Sequence, residues 1–285
     1  MAVPASKLQK AHQIRRTIKM KILTLLLLWI ASAAAQTAPA NVGKEAQTNQ
    51  QKARARIDQM IQALGGQAYL TLQDSYSEGR YGRFHNEAQV GGALYYRYTR
   101  WPDADRWELT AQRDIVQLYL GDKLYEVTYK GSTELNPQKD ENARVALVRR
   151  HYTLDRVLRE WLNAPGTILL DEGPTLADNK MTEKISIING SNESVTIMVD
   201  PKTHLPVKKM FIMRDPVYKD RDEEVELYDN WKVIQGVNTP FSILAMHNGQ
   251  IVRQQYLITI SYNNNTPGQY FTPVLIKHEV EKPKK

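Results

Sequence analysis

The sequence predicts an α+β protein: a long, strongly curved antiparallel sheet with helices lying against its concave face. Three observations predict it. Apolar and polar residues alternate with a period of two through most of the chain, the mark of half-buried strands. Two segments break that rhythm with apolar residues at helical spacing, Ile57–Leu64 and Leu154–Leu162. The gaps between alternating runs carry turn chemistry, Asn248-Gly249 above all, which joins antiparallel neighbours. A sheet of this length must curl or close. Amphipathic helices need an apolar surface to cover, and the hollow side of such a sheet supplies one.

The N-terminus is read apart from the fold. Residues 1–21 hold Lys7, Lys10, Arg15, Arg16, Lys19 and Lys21 and no acid, and Ile22–Ile30 is an almost unbroken apolar run. Ala31-Ser32-Ala33-Ala34-Ala35 follows, with Ala33 and Ala35 as the small pair of a signal-peptide cleavage site. Residues 1–35 are therefore expected to be a signal peptide cut after Ala35; the apolar run falls short of the ~20 residues that span a bilayer. Met20-Lys21 would open a compact signal of its own, and the longer form places Arg15-Arg16 as a twin-arginine pair, so either start and either export route fits. Of 38 basic residues these 35 positions hold six, which leaves 32 against 31 acidic ones. The remaining chain is near neutral, with no clustered basic face for nucleic acid. It has no cysteine, which excludes disulfides, thiol catalysis and a lipid-modified cysteine.

Residues 36–50 are polar and read as a flexible tether, so that 51–285 forms one domain. A helix is expected near 51–64, where Ile57, Met60, Ile61 and Leu64 make one stripe and Gly65-Gly66 ends it. Residues 68–84 read as a long strand bent near Gly79 and Gly82, and 93–101 as the next. Trp101–Asp105 is a turn. Trp107, Leu109 and Ala111, then Val116, Leu118 and Leu120, alternate with polar neighbours, and Gly121-Asp122-Lys123 turns the chain into Leu124–Tyr129. Residues 131–142 are polar. A helical stretch in two pieces follows, the second at 153–163: Thr153 is a good N-cap, and Leu154, Val157, Leu158, Trp161 and Leu162 line one face. Strands then run through Val195–Val199, Phe211–Met213, Val225–Val233, 240–246 and 251–262.

Catalytic signatures are absent. There is no nucleophile elbow, no phosphate-binding glycine loop and no dinucleotide fingerprint. His85, His151, His204, His247 and His278 show no metal-ligand spacing, and the acidic run Asp220–Glu224 lacks a calcium-loop pattern. No enzyme activity, cofactor or metal is expected. Tyr95, Tyr96, Tyr98, Trp101, Trp107, Tyr119, Tyr125 and Tyr129 crowd the first sheet segment. Such a face can stack sugars or line an apolar cleft, or it can simply reflect the strand preference of aromatic residues.

One stretch is recognisable. Asp200-Pro201-Lys202-Thr203-His204-Leu205-Pro206 opens a strand, Tyr228 through Gly236-Val237-Asn238-Thr239-Pro240 joins two more, and Tyr262-Asn263 closes the last. This order resembles the outer-membrane lipoprotein carrier superfamily (LolA/LolB-like). The resemblance extends over roughly residues 51–271, with its specific part at 200–263. It implies a half-open β-barrel with helices in its mouth and a concavity that holds a lipid or an acyl chain. It also implies a periplasmic or secreted binding or carrier protein, without a membrane span once the signal is removed. The expected partner is a lipid or an acylated lipoprotein. A cavity of this kind would be walled by Trp107, Leu109, Leu118, Phe211, Leu227 and Trp231 and lidded by the helix carrying Leu154 to Leu162. The alternatives are a cell-envelope sensor or interaction module with a protein partner, which the charged stretch 131–150 would suit, and a hydrolase with a scattered site. The same apolar residues would equally form an ordinary filled core.

Overall fold

The structure, a computed structural model, describes residues 38–214 and 220–278. The expected signal segment and the cut after Ala35 lie outside the described residues. The chain divides into two units, with the boundary between Gln51 and Lys52. Helix α1 (Ala38–Leu64) begins in the first and continues into the second. Residues 38–50, read from sequence as a tether, are thus helical. Lys44, Glu45, Ala46 and Gln47 are good helix formers, but all are exposed, so no apolar stripe announces them. The stripe begins at Ala53 and runs through Ile57, Met60, Ile61 and Leu64, all buried.

The second unit is built on one 13-stranded sheet, antiparallel throughout and not closed. Six strands meander outward from its middle: β1 (Asp74–His85), β2 (Ala88–Arg100), β3 (Ala104–Leu109), β4 (Ile115–Leu120), β5 (Lys123–Thr128) and β6 (Gly131–Leu135). The helical segment follows, with α3 (Glu141–His151), α4 (Leu154–Arg159) and a 3-10 turn at Trp161–Asn163. A second meander then returns to the middle: β7 (Ile168–Ala177), β8 (Lys180–Ile188), β9 (Ser194–Val199), β10 (Pro206–Arg214), β11 (Arg221–Ile234), β12 (Val237–His247) and β13 (Gln250–Tyr262). β13 closes the path by pairing with β1 from Ser75↔Tyr262 to Arg83↔Arg253, which leaves β6 and β7 as the edges. Helices α3 and α4 lie in the concave face of this half-open barrel.

The sequence-based reading differs from the fold at several points. Residues 67–70 form a short helix, α2 (Gln67–Leu70), so the first strand starts at Asp74 rather than 68. The polar stretch 131–142 contains edge strand β6, whose residues are mostly exposed and therefore carry no alternation. The hydroxyl of Thr153 makes no cap bond to its helix and donates back to Arg150 O (3.1 Å) instead. The expected helix 153–163 breaks at Glu160 into α4 and the 3-10 turn. The main core joins α1, α4 and the 3-10 turn to the β7–β13 half of the sheet: Ile57, Met60, Leu158 and Trp161 meet Ile185, Ile187, Ile197, Phe211 and Val237.

Candidate functional site

Neighbouring residues on a strand point to opposite faces, so contacts made by one residue orient its whole strand. In β3, Asp105 meets Arg150 of α3 (3.5 Å), so Asp105, Trp107 and Leu109 face the helices. Arg106 instead reaches Val274 O (3.1 Å), so Arg106 and Glu108 face outward, beneath the segment after β13. In β10 and β11, Lys209 Nζ donates to Tyr152 O (2.7 Å) and pairs with Glu226 (2.8 Å), which places Lys209, Phe211 and Glu226 on the concave side.

The concave face of strands β2 to β4 and β11 to β13 is charged and aromatic. Asp105, buried, accepts two hydrogen bonds from Arg97 (2.8 and 2.9 Å), one from Trp107 Nε1 (3.1 Å) and one from Thr99 (3.2 Å). Burial would raise its pKa, but the Arg97 charge and hydrogen bonds outweigh burial and hold it below the ordinary value. The Arg97 guanidinium lies 4.5 Å from the Trp107 ring centre, a cation–π contact. Glu226 is likewise opposed by burial, yet Lys209, then Arg253, draw its pKa down to about 2. Tyr228 donates to Glu226 (2.7 Å) and Gln255 to the Tyr95 hydroxyl (2.8 Å). Gly79 makes room for Tyr95: a Cβ there would come within 2.4 Å of that ring. α3 bars this face: Arg149 binds Glu224 of β11 bidentately, and Arg150 makes a single long contact with Asp105 of β3.

By sequence, no family model and no curated protein matches the chain. Comparison of folds does find similar structures. A DUF1329 family protein from Desulfovibrio piger is 12% identical with a TM-score of 0.57, the alignment covering 77% of this chain and 96% of that one. A LolA superfamily protein from Nitrosomonas europaea is 12% identical with a TM-score of 0.50, covering 77% and 97%. The chain has a LolA-like fold. At this identity the likeness is one of fold, and the residues that distinguish this LolA-like chain must be read from its own geometry.

The structure separates the residues expected to wall a cavity. Trp107 and Leu109 are half-buried on the concave face, in the β1–β6 half. Phe211 is concave too, but in the main core, stacked on Tyr152 with centroids 4.1 Å apart. Trp231 packs half-buried against that same core, 6.2 Å from Tyr228. Leu118 and Leu227 occupy the opposite parity and face outward: Leu118 pairs with Arg106 and lies with Val116 and Val127 under Leu275, and Leu227 pairs with Lys208. In the expected lid, Val157, Leu158, Trp161 and Leu162 are buried and Leu154 is half-buried, all of them with Phe211 in the main core. The charged concave residues went unread because charges alternating with apolar side chains look like a solvated face. The one usable signal was Asp105-Arg106-Trp107-Glu108, where both parities carry charge, so neither face reads as a purely apolar one. On the outer face, an open groove of ≈ 730 Å³ at the β1–β2 hairpin is lined by Phe84, Val90, Leu94 and Tyr256 with Arg80. Among the described residues no helix is long and apolar enough to cross a membrane, and no cluster of three metal-ligating groups occurs.

Proposed function

We propose that the chain is exported, cut after Ala35, and works in the periplasm as a non-catalytic binding or carrier protein for an amphipathic lipid or a lipoprotein acyl chain. The observation that carries this reading is an apolar ledge that the helices leave partly open. Trp107, Leu109 and Ile115 share the concave side of β3 and β4, Leu109 sits directly between Tyr95 and Ile115, and Ile115 is 41% exposed. Each methylene of an acyl chain withdrawn from water contributes about 0.8 kcal/mol, so even a shallow ledge roofed by α3 suffices. The test is titration of the purified mature chain with a fluorescent fatty-acyl probe. Saturable binding, weakened about tenfold by Leu109→Asp, supports the reading; no binding by the wild type overturns it. The same envelope-purified sample should begin at Gln36, whereas a cytosolic chain starting at Met1 or Met20 would overturn export.

The outer groove favours a second reading, an envelope interaction module, because Val90 (59% exposed) and Tyr256 (47% exposed) offer an apolar surface away from the concave face. On that reading Leu94→Asp abolishes capture of a protein partner while acyl-probe binding is absent altogether.

A further inference from the structure

We infer that the concave face carries a binding site for the anionic headgroup, a phosphate or carboxylate, of an amphipathic lipid, with Arg150 and Arg253 as its two principal donors. The inference rests on the carrier reading and adds the chemical class of the ligand's polar end.

Among the described residues, Arg97, Arg150, Lys209 and Arg253 are cations that face this hollow. Within ion-pair distance, among the described residues, they share two carboxylates. Arg97 and Arg150 both turn to Asp105, and Lys209 and Arg253 both turn to Glu226. The sharing is unequal. Arg97 takes Asp105 bidentately at 2.8 and 2.9 Å, and Lys209 takes Glu226 at 2.8 Å. Arg150 and Arg253 are left with long contacts, 3.5 and 3.8 Å. The Nε of each is buried and has no hydrogen-bond partner. A buried guanidinium nitrogen without an acceptor costs free energy that a bound anion would recover. Burial, with Arg156 and Arg97 close by, already disfavours the charge on Arg150 against the pull of Asp105.

A chain of contacts links the two guanidiniums: Arg253 approaches Glu226 (3.8 Å), Glu226 pairs with Lys209 (2.8 Å), and Lys209 donates to the carbonyl of Tyr152, two residues after Arg150. The Arg150 guanidinium lies 5.2 Å from the Tyr119 ring centre, and both Arg150 and Arg253 act electrostatically on the Tyr119 hydroxyl. Arg253 also acts on the Tyr95 hydroxyl. An oxyanion bound here would take up the free Nε–H of Arg150 beside the Tyr119 ring and that of Arg253. Tyr95 borders the Leu109–Ile115 ledge, so an attached chain could run along the ledge while its headgroup stays between the arginines. The Arg253 side chain is 39% exposed, which gives the charged end a way in.

The experiment compares dodecyl phosphate, dodecanol and inorganic phosphate by calorimetry on the mature wild type, Arg253→Gln, Arg253→Lys and Arg150→Gln, each checked by circular dichroism for native folding. A charge-assisted pair makes dodecyl phosphate bind at least about tenfold more tightly than dodecanol. That ratio should collapse to within about twofold in Arg253→Gln and be largely restored in Arg253→Lys, even if Arg150→Gln fails to fold. Equal wild-type affinity for the two amphiphiles overturns the headgroup site while leaving the carrier reading intact. Inorganic phosphate bound as tightly as dodecyl phosphate assigns the site to a free anion and also overturns it. Binding of none of the three removes the carrier reading and this inference together.

Discussion

The two halves of the sheet invert their polarity. In the β7–β13 half the concave face is largely apolar, with Ile185, Ile187, Ile197, Phe211 and Met213 under α1 and α4 and a charged group of Lys209, Glu226 and Arg253 beside them, and the outward positions are polar, as at Ser186 and Thr196. In the β1–β6 half the outward face is the packed one. There Val116, Leu118 and Val127 lie under Leu275, and Tyr98 and Ala104 under Phe271. The residues after β13 fasten that cover: Arg106 binds Val274 O and pairs with buried Glu108 (2.6 Å), which meets His278 at 2.9 Å. Its concave face is left with Arg97, Asp105, Trp107 and Tyr119. The difference teaches that the fold is stabilised on opposite sides in its two halves. The concave surface of the first half is thereby left outside the main core and carries charged and aromatic groups.

The largest expected effect tests this contrast with two tryptophans. Trp161 is 4% exposed and packed against Tyr152 and His151 in the filled half. Trp161→Ala should cost about 3–5 kcal/mol in urea unfolding, as large core truncations do. Trp107→Ala, half-buried in the open half, should cost about 1–2 kcal/mol. Equal losses would mean that both concave halves are core.

A smaller effect comes from acid. Glu226 has its pKa drawn down to about 2 in the fold, below its unfolded value. Its stabilisation is therefore present above about pH 4.5 and is lost as the pH falls toward 2. Urea midpoints measured across that window should decline for the wild type, and more shallowly for Glu226→Gln. Identical slopes would show that the Lys209–Glu226 pair, the charged part of the β7–β13 half, adds nothing to stability.

Much of the fold was legible in the sequence because turns and stripes are local. Asn248-Gly249 announces its hairpin with two consecutive positive φ angles, 49° and 78°. Asn86-Glu87, Asp178-Asn179 and Gln235-Gly236 adopt the same geometry, with φ between 48° and 81°, but only the last contains the glycine that favours it, and none has the Asn-Gly signature. The helical stripes of α1 and α4 were equally plain. The site was less legible. Alternation shows that Leu118 and Trp107 differ in face, but which face is covered depends on Leu275, more than 150 positions away in the chain. Nothing local marks Lys209 and Glu226 as a concave pair; their contact appears only once β10 and β11 are set beneath Tyr152. Pairings of this kind depend on tertiary contacts and leave no period in the sequence.

The most direct measurement uses the four tryptophans of the chain after residue 35, Trp101, Trp107, Trp161 and Trp231, one of which lies on the open ledge. Proton–nitrogen spectra of the mature protein resolve their indole signals, and a fatty acid carrying a nitroxide on its chain broadens those it approaches. Binding on the concave face of the β1–β6 half predicts that the Trp107 signal broadens first, while Trp161 and Trp231 keep their intensity. Selective broadening of Trp161, or no broadening of any indole at saturating ligand, would contradict it.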